Sequence, residues 1–237
     1  MDKERALFNS LTPINTSGHP QTVAIFQKLA EGFDIAVEPA HSKYWRSMLT
    51  VGRAMDSLVD THRPESIQLE AQQLLGGVPI EGVTNEEALE FSEIFHAASA
   101  ERQLAIQQGL SINDYAIAMR QADTYNDFIE LRVGEAEVFG RVMQLDNPSE
   151  QRTIDTFNNW LPRFARAGYL IDSFGDFSAD YKEGAIGLEP TLSRRIKLGK
   201  QALRETLDTA SELPPRTIAF LAAASLSKIV RNGLNNK

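Results

Sequence analysis

Apolar positions recur at three- and four-residue intervals along almost the whole chain, as in Val23, Phe26, Leu29 and Phe33, or Leu89, Ile94 and Phe95. That interval matches the turn of an α-helix with one buried face, whereas the strict alternation of a half-buried strand is nearly absent. The pattern predicts an all-α chain. Glycine and proline interrupt it at Pro39, Arg63-Pro64, the Gly76 to Gly82 stretch, Gly109, Asn147-Pro148, Gly184 to Pro190 and Leu213-Pro214-Pro215. These breaks leave roughly eight helices. Thr84 with Glu87, and Ser111 with Asp114, have the spacing of a helix cap with an acid three residues on, and Pro148 suits a first helical turn.

No linker or repeat separates two cores, so residues 1–237 are expected to form a single-domain helical bundle, with polar residues 1–19 as a loose arm. The longest uncharged apolar stretch near the C-terminus, Ile218 to Leu226, is far short of the roughly 20 residues of a membrane span. No integral membrane segment is expected. A net charge of −8 argues against nucleic acid as a partner, because such binding rests on clustered Lys and Arg. The acidic N-terminus resembles neither a secretory signal nor a transit peptide, and cytoplasmic residence is the expectation. With no cysteine and four scattered histidines, any metal would be held mainly by oxygen. His41, His62 and His96 form no constellation with a serine nucleophile, and Gly76, Gly77 and Gly82 lack the Gly-Lys-Ser/Thr ending of a phosphate-binding loop.

Two acidic clusters carry the candidate chemistry. Asp56 and Asp60 are four residues apart, so one turn of helix puts both carboxylates on one face. Asp172, Asp176 and Asp180 repeat the step twice, with Phe174, Gly175, Phe177, Ser178 and Ala179 between them. Like charges at this spacing repel by a few tenths of a kcal/mol on an isolated helix, a penalty that a cation reverses. Magnesium takes one or two carboxylates, several waters and phosphate oxygens, so oxygen-only clusters of this kind suit it together with a diphosphate. A solvated acidic face remains the plain alternative for either cluster alone.

Arg53-Ala-Met-Asp-Ser-Leu-Val-Asp60 and the segment from Phe164 to Gly184, with its Asp172, Asp176, Asp180 and Gly184, resemble the two aspartate motifs of the squalene/phytoene synthase branch of the class I terpenoid synthases. The resemblance covers about residues 45 to 62 and 160 to 190, and loosely the helix around Arg132 to Arg141. It implies an all-α terpenoid-synthase fold whose two acidic helices face each other across the mouth of a barrel. Asp56, Asp60, Asp172, Asp176 and Asp180 would then be metal ligands and catalytic, with about three Mg2+ ions against the diphosphate of a prenyl substrate. Arg53, Arg132 and Lys182 are the basic candidates for diphosphate contact, while Glu130, Glu135 and Glu137 offer Arg132 a purely structural ion-pair network instead.

The chain departs from the family in its length, in lacking a recognisable Ser-Phe-type helix, and in having Gly-Ala-Ile-Gly-Leu-Glu-Pro190 in place of Gly-Arg-x-Tyr-Leu-Pro. Loss of that Arg and Tyr favours a terpene synthase, which ionises one farnesyl- or geranylgeranyl-class diphosphate and lets the cation cyclise or eliminate. Head-to-head prenyl transfer is the alternative, and a non-catalytic helical interaction protein is a second one. Such a cation needs an apolar, aromatic chamber; Tyr44, Trp45, Phe91, Phe95, Tyr125, Phe128, Phe139, Trp160, Phe164, Phe174 and Phe220 are available for lining or for ordinary packing. A homodimer is the default assembly.

Overall fold

The computed structural model describes residues 19–60, 67–147 and 150–213, with only the backbone of residues 19–21, 59 and 60. The expectations for the arm at 1–19, apart from His19, for the Arg63-Pro64 and Pro214-Pro215 breaks, and for Pro148 and Phe220 fall outside these residues. Described residues are helical or irregular, with no strand among them. The helices are α1 (His19–Gly32), α2 (Pro39–Asp60), α3 (Ile67–Leu75), α4 (Asn85–Ala97), α5 (Ala100–Leu110), α6 (Asn113–Met119), α7 (Tyr125–Val142), α8 (Arg152–Glu183) and α9 (Leu192–Ala210). The expected all-α class is what the chain adopts, the seven-residue α6 aside from eight longer helices.

Local chemistry accounts for most boundaries. Pro39 opens α2, where its missing N–H costs nothing. Thr84 and Glu87 form the expected reciprocal capping box on α4. Ser111 does not cap a following helix: it closes α5, and α6 starts after Ile112 with no side-chain cap. Gly109 lies inside α5 rather than breaking it. Two boundaries without glycine or proline escape the pattern, and both are set by hydroxyl caps, Ser99 on α5 and Thr124 on α7. Gly184 ends α8 in the left-handed conformation at φ 75°, a geometry glycine adopts without strain.

Three helices fix the centre. α8 runs antiparallel to α7, with Gly140 against Pro162, Glu137 near Arg166 and Arg132 near Asp180. It runs antiparallel to α9 too, through Trp160 Nε1 donating to Thr209 O at 3.1 Å and Arg166 pairing with Glu205. Pro162 sits inside α8 and cannot donate to Asn158 O; that carbonyl instead accepts from Gln144 Nε2 at 2.7 Å, so the bond lost to proline is replaced across the α7–α8 connection. α2 lies alongside: Trp45 contacts Phe157 and donates to Met143 O at 2.9 Å, while Tyr44 donates to Val142 O. Buried Asn113 holds the far half of α2 by donating to Met55 O at 2.7 Å.

The largest core cluster is built around Trp45, Phe91, Phe157 and Trp160, and a second, around Phe128, Leu170, Phe177 and Leu198, packs between α7, α8 and α9. Full burial of each such ring or aliphatic side chain contributes about 1.5–3 kcal/mol. Buried Arg102 is held by the carbonyls of Arg141 and Leu145, so its charge meets the negative end of α7.

Candidate functional site

The end of the bundle formed by the C-terminal halves of α2 and α8 and the N-terminal half of α7 collects the acidic residues. α2 and α8 run in the same direction, from the Trp45–Phe157 contact to the level of Asp56 and Tyr169 about three turns on. α7 runs back along α8 and contributes Arg132 and Glu135. At its centre is Tyr169, whose phenol is raised far above its usual range by burial; Glu135, Asp56 and Asp172 push it up further while Arg132 opposes them. One side chain thus senses carboxylates from all three helices.

Arg132 is the hub. Its Nη1 lies 2.8 Å from Glu135 Oε2, its Nη2 4.0 Å from Asp180 Oδ2, and its guanidinium 6.0 Å from the centre of the Phe128 ring. The ring in turn stacks on Phe177 at 5.3 Å. Arg132 and Glu135 are only 16% and 14% exposed, so their charges are little screened. Arg132 Nε is buried and has no hydrogen-bond partner among the described residues. Burial raises the pKa of Glu135, with Arg132 opposing and Asp56 adding to the rise. Asp180 is raised by burial as well; Arg132 lowers it, and Asp176, Asp172 and Glu183 push it up. At both acids the cation only partly offsets desolvation and like charge.

The remaining candidates take different positions. Asp56 and Asp172 are exposed, and Asp176 and Asp180 are half-buried. Asp60 is the last residue of α2, and its side chain lies outside the described residues. Arg53 is exposed on α2, less than one turn before Asp56. Lys182 is exposed and follows Asp180 by two residues, a rotation of about 200° that takes it off the acidic flank of α8. Glu135 does pair with Arg132, as in the structural alternative, but Glu137 turns to Arg141 and Arg166, and Glu130 is exposed. Among the described residues, no three His, Asp or Glu side chains are gathered closely enough to hold a metal ion.

Glu135, Tyr169 and Ser173 belong to the site although sequence reasoning assigned them no part in it. Tyr169 precedes Asp172 by three residues, a spacing that places it on the acidic flank. Ser173, beside Asp172, carries a buried hydroxyl with no hydrogen-bond partner among the described residues.

Below Tyr169 the rings form a continuous file rather than an open chamber. Tyr169 meets Phe139 at 5.7 Å, Phe139 meets Phe26, and Phe26 meets Trp45. Trp45 meets Phe157, and Trp160 stacks on Phe164 at 4.7 Å. Two surface clefts lie elsewhere. One of about 590 Å3 is lined by residues including Gln107, Tyr115, Glu137 and Arg141, and one of about 160 Å3 lies between Arg46 and Glu86, Glu87 and Glu90. Neither is lined by the clustered aspartates. Compared with family models, curated proteins and solved structures, the chain matches none.

Proposed function

We propose that this chain is a magnesium-dependent class I terpene synthase that ionises a farnesyl- or geranylgeranyl-class diphosphate. The observation that supports it is Arg132 of α7, which lies 2.8 Å from Glu135 and 4.0 Å from Asp180 of α8 at the end of the bundle where Asp56 of α2 adds to the field at Glu135. The two motifs are more than a hundred residues apart in sequence.

The residues fit magnesium by chemistry. Asp56, Asp60, Asp172, Asp176 and Asp180 offer only oxygen, and a magnesium site needs one or two carboxylates because water and phosphate oxygens complete it. About three Mg2+ would be held there, as the family resemblance implies, and when bound they neutralise the charge that develops on departing diphosphate. Arg132 supplies a fixed cation and an unused buried N–H for phosphate oxygens, and Arg53 adds a second cation from α2. The file from Tyr169 and Phe139 inward offers apolar ring faces to an allylic cation and excludes water. Because these rings pack on one another, the reading requires Tyr169 and Phe139 to separate when the isoprenoid chain enters.

The test is incubation of the purified protein with Mg2+ and geranyl, farnesyl or geranylgeranyl diphosphate, followed by assay of released diphosphate and analysis of hexane extracts. A product with one substrate's carbon count is expected; a doubled count would move the chain to head-to-head prenyl transfer. Asp56→Asn and Asp176→Asn are expected to lower turnover by at least about 100-fold with the helical circular dichroism retained. Absence of diphosphate release from all three substrates would sink the proposal.

A further inference from the structure

The outer face of α9 combines exposed aliphatic side chains with a row of basic ones. Leu192, Ile196, Leu203 and Leu207 are 75%, 50%, 61% and 61% exposed. At about 100° per residue they fall within a sector roughly 60° wide, while buried Leu198, Ala202 and Thr209 face the opposite way against α8. Phe174 of α8, 42% exposed, lies against Gly199 and extends the stripe sideways. Beside the stripe, Lys197, Lys200 and Arg204 form a row at three- and four-residue spacing, all exposed. α9 holds five basic and two acidic residues in a chain of net charge −8. Positive charge is concentrated where the aliphatic side chains are.

We propose that α9 docks this protein onto the surface of an anionic lipid bilayer. A helix of this kind lies in the plane of the interface, its leucines entering the acyl boundary and its cations meeting the headgroups. Charge beyond a Debye length of about 8–10 Å is screened, so the bilayer senses the basic row rather than the acidic whole. A second copy is disfavoured as the occupant, because antiparallel facing α9 helices would oppose their rows of Lys197, Lys200 and Arg204. No helix among the described residues is long and apolar enough to cross a membrane. The inference is independent of the chemistry at the acidic site, because Phe174 is rotated about 200° around α8 from Asp172.

Co-sedimentation of the full chain with vesicles tests it. Vesicles of phosphatidylcholine with about 30 mol% phosphatidylglycerol should retain the protein in low salt, and those of pure phosphatidylcholine should retain at least about tenfold less. Raising salt to about 0.5 M should release it. The double variant Ile196→Ser/Leu203→Ser and the triple variant Lys197→Gln/Lys200→Gln/Arg204→Gln should each weaken binding to anionic vesicles at least about tenfold, with circular dichroism unchanged. Failure to bind anionic vesicles, equal binding to both compositions, or unchanged binding by both variants overturns the proposal. So does a dimer in sedimentation velocity that the serine variant dissociates without altering vesicle binding, which would make the stripe a contact between copies.

Discussion

The backbone-to-backbone approach of α7 and α8 at Gly140 makes the sharpest test of how the site is assembled. A Cβ added at Gly140 would lie 2.4 Å from Pro162 Cα, 2.8 Å from Pro162 N and 3.0 Å from Leu161 O. Ordinary carbon contacts lie at about 3.5–4.0 Å, so Gly140→Ala must move backbone on one of two helices by about an ångström. Neither yields cheaply, because Pro162 is rigid and Gln144 already ties Asn158 O across the α7–α8 connection. Overpacking of this sort costs typically about 1–3 kcal/mol, and backbone obstruction puts this case at the top of that range or above. Replacing a mid-helix glycine by alanine returns about 0.5–1 kcal/mol. The net expectation is a loss of about 2 kcal/mol, or about 4–8 °C in Tm for a chain of this size. Gly168→Ala and Gly175→Ala, on α8 where an added Cβ meets nothing within 4 Å, should instead gain about 0.5–1 kcal/mol. Thermal and urea unfolding of the three variants reads this out. A Gly140→Ala variant as stable as the parent would refute the close crossing, and equal losses at all three positions would refute the reasoning from contact.

Arg132→Met leaves Glu135 half-buried beside Asp56 without its cation; a loss of about 2 kcal/mol is expected, limited by protonation of Glu135, and urea titration measures it. Asn113→Ala removes the buried donor to Met55 O and should cost about 1–3 kcal/mol, with lower protection from hydrogen exchange in the second half of α2. Burial raises the Tyr44 phenol well above its ordinary value of 10.0, so its neutral form is favoured by the fold. That contribution is complete below pH 10 and is lost as pH rises from there towards the folded value; Tyr44→Phe should therefore flatten the alkaline fall in stability, and an unchanged slope between pH 10 and 12 would contradict its burial.

The helical class and most breaks were legible because period and glycine or proline are local signals. The boundaries at Ser99 and Thr124 were missed since each relies on a hydroxyl cap in an otherwise continuous pattern, and Ser111, with the same local spacing, closes a helix instead. The acidic flank of α8 could be read from its four-residue step, and the Arg132–Glu135 pair from its three-residue step. What the pattern does not encode is which flanks meet. The approach of Asp56 to Glu135 and Tyr169 depends on the Gly140–Pro162 crossing and the Trp45–Phe157 contact, between residues about 20 to 110 positions apart. Aromatic composition likewise announces a ring-rich interior without saying whether the rings line a chamber or fill it; here they fill it.

Ion pairs hold α8 on both sides: Arg163 with Glu212 and Arg166 with Glu205 towards α9, and Arg132 with Asp180 towards α7. At the other end, Glu135 and Asp180 both contact or approach Arg132 and are nevertheless raised, because burial and neighbouring carboxylates outweigh one guanidinium. Arg132 Nε is buried there with no hydrogen-bond partner among the described residues, so the one guanidinium that meets both acids still has a donor to spare.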